Sequence, residues 1–520
     1  MKVLLLGLWA GYASAAAAAD CESLKSLTLA HVTVTSAQIV AAGAFVPPEE
    51  PRNGPYKALA SFCRVQAVAK PSADSHIEFE VWLPVSGWNG KYFGVGNGGF
   101  AGSIQYSLMA AAVMNGYASS STDTGHKAPA TDAAWALGHY EKTVDFAYRA
   151  IHETAQNSKT LIERYYGAAS RHSYFSGCSN GGRQALVEAQ RYPADYDGII
   201  AGAPANFWTH NFAGFVWDEQ ALQGAAQIPA AKMPAIEKAA LNACDAIDGL
   251  TDGLIDDPRK CHFDPSVLLC QNAESDACLT GPQAGALKKI YAGPSNSKGE
   301  QLFPGYLPGA ESGPGGWSRW ITGADSQQLV FARGYFANMV FENPAWDLAS
   351  FHFDRDMKIA DDKSARLFNA TDANLKPFAA RGGKLFLYHG WSDTAIAPEN
   401  AISYYESVVA KMPAEAGSFV QLYMVPGMQH CAGGPGPNSF GTYLGPAPSD
   451  ADHSMSMALD RWVETGAAPK RIIAAKYKTG ANAASGVVRT RPLCPYPQVA
   501  RYTGAGSTDE AANFRCEAPK

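Results

Sequence analysis

The sequence predicts an α/β protein, a parallel sheet layered with helices and broken by one large insertion. Three observations predict it. Apolar runs of strand length alternate with stretches of helical periodicity in both the first and last thirds of the chain. One apolar run, at Tyr174-Phe175, passes through a Gly/Ser turn straight into a helix with an apolar stripe (Ala185, Leu186, Ala189). Between them, residues 206–380 replace the alternation with four cysteines, an acidic loop, Gly-Pro tracts and dense aromatics.

The elements follow in chain order. Met1-Lys2, the apolar stretch 3–9 and the small residues 13–19 read as a secretory signal peptide over 1–19, cleaved near Ala19. The charged Asp20 before Cys21 argues against lipidation at that cysteine. From Asp20 to about Lys70, short apolar runs mix with Pro and Gly. Residues 77–83 alternate apolar and polar, a strand signature. Lys91–Val95 is a second strand, running into Gly96-Asn97-Gly98-Gly99. The spacing of Val144, Ala147, Tyr148, Ile151 and Leu161 predicts a helix over 143–166. A helix from about Arg183 to Arg191 and a short strand over 199–203 complete the first part. After the insertion come a strand at 384–390, a helix at 404–409, a strand at 420–425 and a helix at 455–463. This places one catalytic domain in 20–205 and 381–520 and an inserted lid in 206–380.

Composition bounds the function. The 520 residues are 47% hydrophobic and 17% charged, with a formal net charge of −6. Disorder needs lower hydrophobicity, and no basic excess is present to neutralise phosphates, so nucleic acid is not an expected partner. No stretch after the leader reaches the roughly 18–20 apolar residues of a membrane span.

Ten cysteines on an exported chain imply disulfides and a secreted or periplasmic location. None forms a CxxC pair, which argues against a zinc ribbon or a redox motif. Spacing suggests Cys21–Cys63, Cys244–Cys261, Cys270–Cys278 and Cys494–Cys516, leaving Cys178 and Cys431. Connectivity is not fixed by sequence alone.

Gly177-Cys178-Ser179-Asn180-Gly181 matches the G-x-S-x-G nucleophile turn, between a strand and a helix as an α/β-hydrolase requires. A plain glycine turn is the competing reading. A serine hydroxyl needs a base, and in this fold the order is Ser, then Asp or Glu, then His. Asp393 lies just beyond the strand 384–390, and His430 follows the strand 420–425, both in turn-rich segments past a strand's carboxyl end. His389 precedes the acid and His453 opens a helix, so both read as structural. Cys178 adjoins the serine and Cys431 adjoins the histidine. A bridge between them would clamp the two loops, where a misplacement of about 1 Å can cost roughly 100-fold in rate.

Cys178-Ser179, Asp393 and His430-Cys431 resemble the CS-D-HC motif of the tannase and feruloyl esterase family. Thr122-Asp123-Thr124-Gly125-His126, Val425-Pro426-Gly427-Met428 and Arg491-Pro492-Leu493-Cys494-Pro495 extend the resemblance over nearly the whole mature chain. The resemblance implies an α/β-hydrolase core with a large lid, five disulfides, and an oxyanion hole from the backbone N–H groups of Asn180 and Gly99. It implies a serine carboxylic-ester hydrolase acting through an acyl-enzyme on a small aromatic ester, of the kind attached to plant cell-wall polysaccharide. Hydroxycinnamoyl esters are the first expectation. Galloyl esters, as for a tannase, and mono-(2-hydroxyethyl) terephthalate are the alternatives.

The segment 245–256 repeats Asp and Gly as calcium loops do, although it lacks the closing Glu of an EF-hand. Read alone, it is equally a solvated acidic loop. The resemblance implies a structural Ca²⁺ held by Asp245, Asp248 and Asp252 through side chains and by Leu250 and Leu254 through carbonyls. Two other classes stay open: a calcium-dependent binding module on a hydrolase scaffold, and a serine peptidase. Lid aromatics (Phe207, Trp208, Trp317, Trp320, Tyr335, Phe336, Phe341, Trp346) could wall an acyl pocket, but buried aromatics are more often core.

Overall fold

Nine strands form one sheet in the order β1-β2-β3-β5-β4-β6-β7-β8-β9. They are β1 (Val32–Val40), β2 (Phe62–Ala69), β3 (Ile77–Pro84), β4 (Lys91–Val95), β5 (Ala118–Thr122), β6 (His172–Cys178), β7 (Gly198–Gly202), β8 (Lys384–Gly390) and β9 (Val420–Val425). This computed structural model describes residues 20–48, 55–309, 311–444, 447–448 and 450–519. The expected signal peptide at 1–19 lies outside them.

The sheet is mixed. From β5 to β9 all neighbours are parallel, whereas β1, β2, β3 and β5 pair antiparallel. The stretch read only as short apolar runs holds two long strands. β1 alternates buried Val32 and Val34 with exposed Thr33 and Thr35, as an edge strand with one wet face does. β5 escapes an apolar pattern search because its buried residues are serines. Neighbours satisfy them: Ser119 donates to the Phe93 carbonyl at 2.9 Å, and Ser120 pairs with the Tyr92 hydroxyl at 2.6 Å.

The chain leaves β4 for β5 on one side and later places β6 on the other. Strand order reverses at β4, and crevices beyond the carboxyl ends of parallel strands at such a point are where these sheets bind ligands. Ser179 follows β6, Asp393 follows β8 and His430 follows β9, so all three project from that edge.

The helix expected at 143–166 starts earlier, at Tyr140, and contains a wide turn over Asp145–Arg149. The carbonyls of Phe146 and Ala147 in that turn accept hydrogen bonds from the buried Arg183 guanidinium. Between β7 and β8 the described residues add no strand to the main sheet. Lid helices Trp208–Ala221 and Gln327–Tyr335 instead pack an aromatic cluster (Trp208, Phe212, Phe331, Tyr335) onto Phe100, Phe146 and Ile396 of the catalytic domain. A second lid core surrounds Trp317.

Candidate active site

The turn after β6 is strained. Ser179 sits at φ 65°, ψ −124°, a region non-glycine residues occupy only when the surroundings impose it. Here the Ser179 N–H donates to the Gly202 carbonyl at 3.0 Å, and its own carbonyl accepts from Arg183 N at 3.0 Å and Ala205 N at 3.1 Å. Gly177 is required by close approach, since a Cβ there would lie 2.2 Å from the Gly181 carbonyl oxygen. The following helix begins at once, Asn180–Arg191, earlier than its apolar stripe indicated. The serine therefore stands at a helix N-terminus, where unsatisfied amides and the helix dipole favour negative charge.

The acid is fully engaged. Asp393 Oδ1 accepts from the amides of Ala395 (2.8 Å) and Ile396 (2.9 Å), and Oδ2 accepts from His430 Nδ1 at 2.8 Å. His389, read as structural, is buried behind it, with Nε2 3.2 Å from Asp393 Oδ2 and 3.0 Å from the Ile396 carbonyl. Burial works against ionisation of Asp393, but the charge and hydrogen bond of His430 together with those of His389 outweigh it and hold the carboxyl below the ordinary carboxylate range. Because Nδ1 of His430 donates to the carboxylate, its Nε2 carries the lone pair a base needs. The Asp and His loops touch through Gly390, where a Cβ would come within 2.1 Å of the Met428 carbonyl oxygen.

Cys178 and Cys431 are bonded, with Cα atoms 5.9 Å apart. The other four bridges are Cys21–Cys63, Cys244–Cys261, Cys270–Cys278 and Cys494–Cys516. Ser179 and His430 line the same cavity, of about 440 Å³. The Ser179 hydroxyl makes no hydrogen bond to a described residue. Such contacts commonly tighten only around substrate. His453 is elsewhere, paired with Asp450 at 2.9 Å.

The backbone N–H groups of Asn180 and Gly99 reach no protein acceptor among the described residues, and both residues line the cavity. The loop 96–99 is held against the nucleophile helix by a reciprocal pair that sequence reading missed. Gln184 Oε1 accepts from Asn97 N at 2.9 Å, and Asn97 Nδ2 donates to the Thr122 and Ser103 carbonyls at 2.8 and 2.9 Å. Arg183, also missed, donates from Nε to Asn180 Oδ1 at 2.9 Å and lies 5.0 Å from the Trp208 ring centroid. With no carboxylate partner, its guanidinium is pushed down to about 9, first by burial and then by the charge of Arg191.

The cavity is walled by aromatics from the lid. Of those singled out in sequence, Trp208 and Trp320 line it, while Trp317, Tyr335 and Phe336 are core and Phe207, Phe341 and Trp346 pack around the core. Trp320 meets His430 edge-on, ring centroids 5.1 Å apart. Phe212, Phe215, Phe331, Asn211, Arg319 and Gln327 also line it and carried no sequence signal. Arg319 alone among the lining residues has a permanent charge, and its guanidinium makes no ion pair or hydrogen bond with described residues.

In the acidic loop, Asp245 accepts from the amides of Asp252 (3.2 Å) and Gly253 (3.0 Å), and Asp252 pairs with Arg491 at 2.6 Å. Burial, then the charges of Asp252 and Asp245, push the Asp248 carboxyl above its ordinary range. Arg489 also approaches Asp252, at 3.8 Å, and the loop's oxygen donors are of the type that suits a hard cation. Among the described residues no three His, Cys, Asp or Glu side chains are placed to hold a metal by themselves. A cation would need the carbonyls of Leu250 and Leu254 as well.

A family model described as tannase and feruloyl esterase matches residues 63–517. An uncharacterized esterase of Xanthomonas campestris pv. campestris is 46% identical over 97% of this chain and 92% of its own. The mono(2-hydroxyethyl) terephthalate hydrolase of Piscinibacter sakaiensis is 34% identical over the same shares, 97% and 92%. The crystal structure of feruloyl esterase B from Aspergillus oryzae superposes with a TM-score of 0.88 at 30% identity, covering 96% of this chain and 99% of that one.

Proposed function

The chain belongs to the tannase and feruloyl esterase family and is a carboxylic-ester hydrolase, and from that premise we propose that it cleaves hydroxycinnamoyl esters through a serine acyl-enzyme. Ser179 attacks the ester carbonyl while His430 Nε2 takes its proton. Asp393 fixes the imidazole tautomer and stabilises the imidazolium. The oxyanion that forms is held by the amides of Asn180 and Gly99 at the helix N-terminus. The alcohol leaves with the proton from His430, and a water activated by the same imidazole releases the aromatic acid. One observation carries this reading: Ser179 and His430, their neighbours joined by the Cys178–Cys431 bridge, face one aromatic-walled cavity.

The aromatic wall supports a flat acyl group, and the relationship to feruloyl esterase B supports ferulate among such groups. An ester borne on a plant cell-wall polysaccharide, met outside the cell, fits the five disulfides and the signal-like leader. The test is kcat/KM for methyl ferulate, methyl gallate and the terephthalate monoester in the wild type, with Ser179→Ala as the silent control. Ferulate preferred supports the reading, and gallate preferred moves it to tannase. A second reading has its own support. The unpaired Arg319 in the cavity wall suits a substrate with a free carboxylate, and a preference for the terephthalate monoester would select it.

The lid loop is proposed to hold Ca²⁺ through Asp245, Asp248 and Asp252 with the carbonyls of Leu250 and Leu254. The ion would supply positive charge that offsets the loop's carboxylates, while Asp252 joins the loop to Arg491 of the strand Val487–Leu493. It takes no part in ester cleavage.

A further inference from the structure

We propose that Asn211 reads the substrate's ring by hydrogen-bonding a phenolic hydroxyl deep in the cavity, an inference that rests on the aromatic-acyl reading above. The lid helix Trp208–Ala221 presents Trp208, Asn211, Phe212 and Phe215 to the cavity, at the spacing of one helical face. Three of the four are aromatic. Asn211 is 3% exposed, yet its side-chain amide makes no hydrogen bond to any described residue, and its Oδ1 has no contact with solvent.

A buried amide without partners is costly, and an apolar side chain of its size would be more stable in such a wall. A ligand that accepts from the open amide nitrogen accounts for its presence. An amide offers a donor at one end and an acceptor at the other. Oδ1 is shut off from solvent, so the end open to the cavity is Nδ2, and a phenolic oxygen accepts from it. An unsubstituted ring satisfies neither, and binding it leaves the amide dry and unpaired. Asn211 is then a specificity residue, which discriminates between acyl groups without touching the scissile carbonyl.

The experiment compares kcat/KM for methyl 4-hydroxycinnamate and methyl cinnamate in the wild type and in Asn211→Leu. The wild type is expected to prefer the hydroxylated ester by about tenfold, the worth of one hydrogen bond in a dry site. Asn211→Leu should bring that ratio to within about twofold of one. An unchanged ratio overturns the inference and leaves the acyl reading standing. Because the variant could fail to fold, the two esters are also titrated into Ser179→Ala, where Asn211 is intact. Tighter binding of the hydroxylated ester supports the inference, and equal affinity overturns it. A wild type that hydrolyses neither cinnamate but cleaves the terephthalate monoester overturns the acyl reading and this inference together.

Discussion

Asp393 and the acidic loop at 245–256 bury carboxylates in opposite ways. Asp393 is one charge surrounded by two histidines and two backbone amides, and its carboxyl is held below the ordinary range. The loop crowds several carboxylates around Arg491, and Asp248 is pushed up. A buried carboxylate stays ionised where positive charges and amides face it; where carboxylates face one another, burial and like charge push its pKa up. The first arrangement is complete without help. The second leaves Asp248 facing the charges of Asp252 and Asp245.

The largest way to break this contrast is Asp393→Asn. The amide cannot hold His430 in the tautomer that leaves Nε2 free, so kcat should fall by about 10⁴ with the fold retained, as circular dichroism and single-turnover rates would show. Replacing both Cys178 and Cys431 by serine separates the charge arrangement from the clamp that positions it. Asp393 keeps its partners, but Ser179 and His430 are no longer tied, and kcat should drop roughly 100-fold. If the double variant retains full activity, the bridge is a stability device only.

Removing metal with a chelator sharpens the other side. The melting temperature should fall by roughly 2–5 °C and recover with added Ca²⁺, while Asp248→Asn should abolish the chelator's effect. A melting curve indifferent to both would return the loop to a solvated acidic segment. The smallest effect is in pH. A carboxyl whose folded-state pKa is depressed contributes stability that is present above its unfolded value, about 3.9 for Asp, and is lost as pH falls toward the folded value. Asp393 therefore contributes a stability loss confined to pH below about 4, and Asp393→Asn should flatten that part of the profile.

These two regions also differ in how much of them the sequence disclosed. The proposed catalytic side chains lie just past strands within short motifs, where strand, turn and helix follow each other directly, so Ser179, Asp393 and His430 stand out in sequence, and the structure bonds His430 to Asp393 and places Ser179 and His430 on one cavity. Spacing suggests four of the bridges and leaves Cys178 and Cys431, and the structure shows all five pairings. Gln184, Arg183 and Asn211 were not legible. Each sits within a helix where polar residues ordinarily face water, and only tertiary packing turns Arg183 toward the Phe146 and Ala147 carbonyls and Asn211 toward the cavity. β5 was missed because its serines are satisfied by partners on other elements. His389 was read as structural from its place before the acid; that it bonds to Asp393 depends on how the turn after β8 folds back on its own strand.

The Cys178–Cys431 bond closes a ring of chain whose ends are 253 positions apart, and the segment between β7 and β8 lies within that ring. Loop entropy grows only slowly with length, so segments can be gained, trimmed or exchanged inside the ring while its two ends stay covalently registered. A protease nick in the lid would leave the nucleophile and the base on one molecule. Changes of appetite for different esters are therefore open to the lid by sequence drift, with the reaction itself insulated from them.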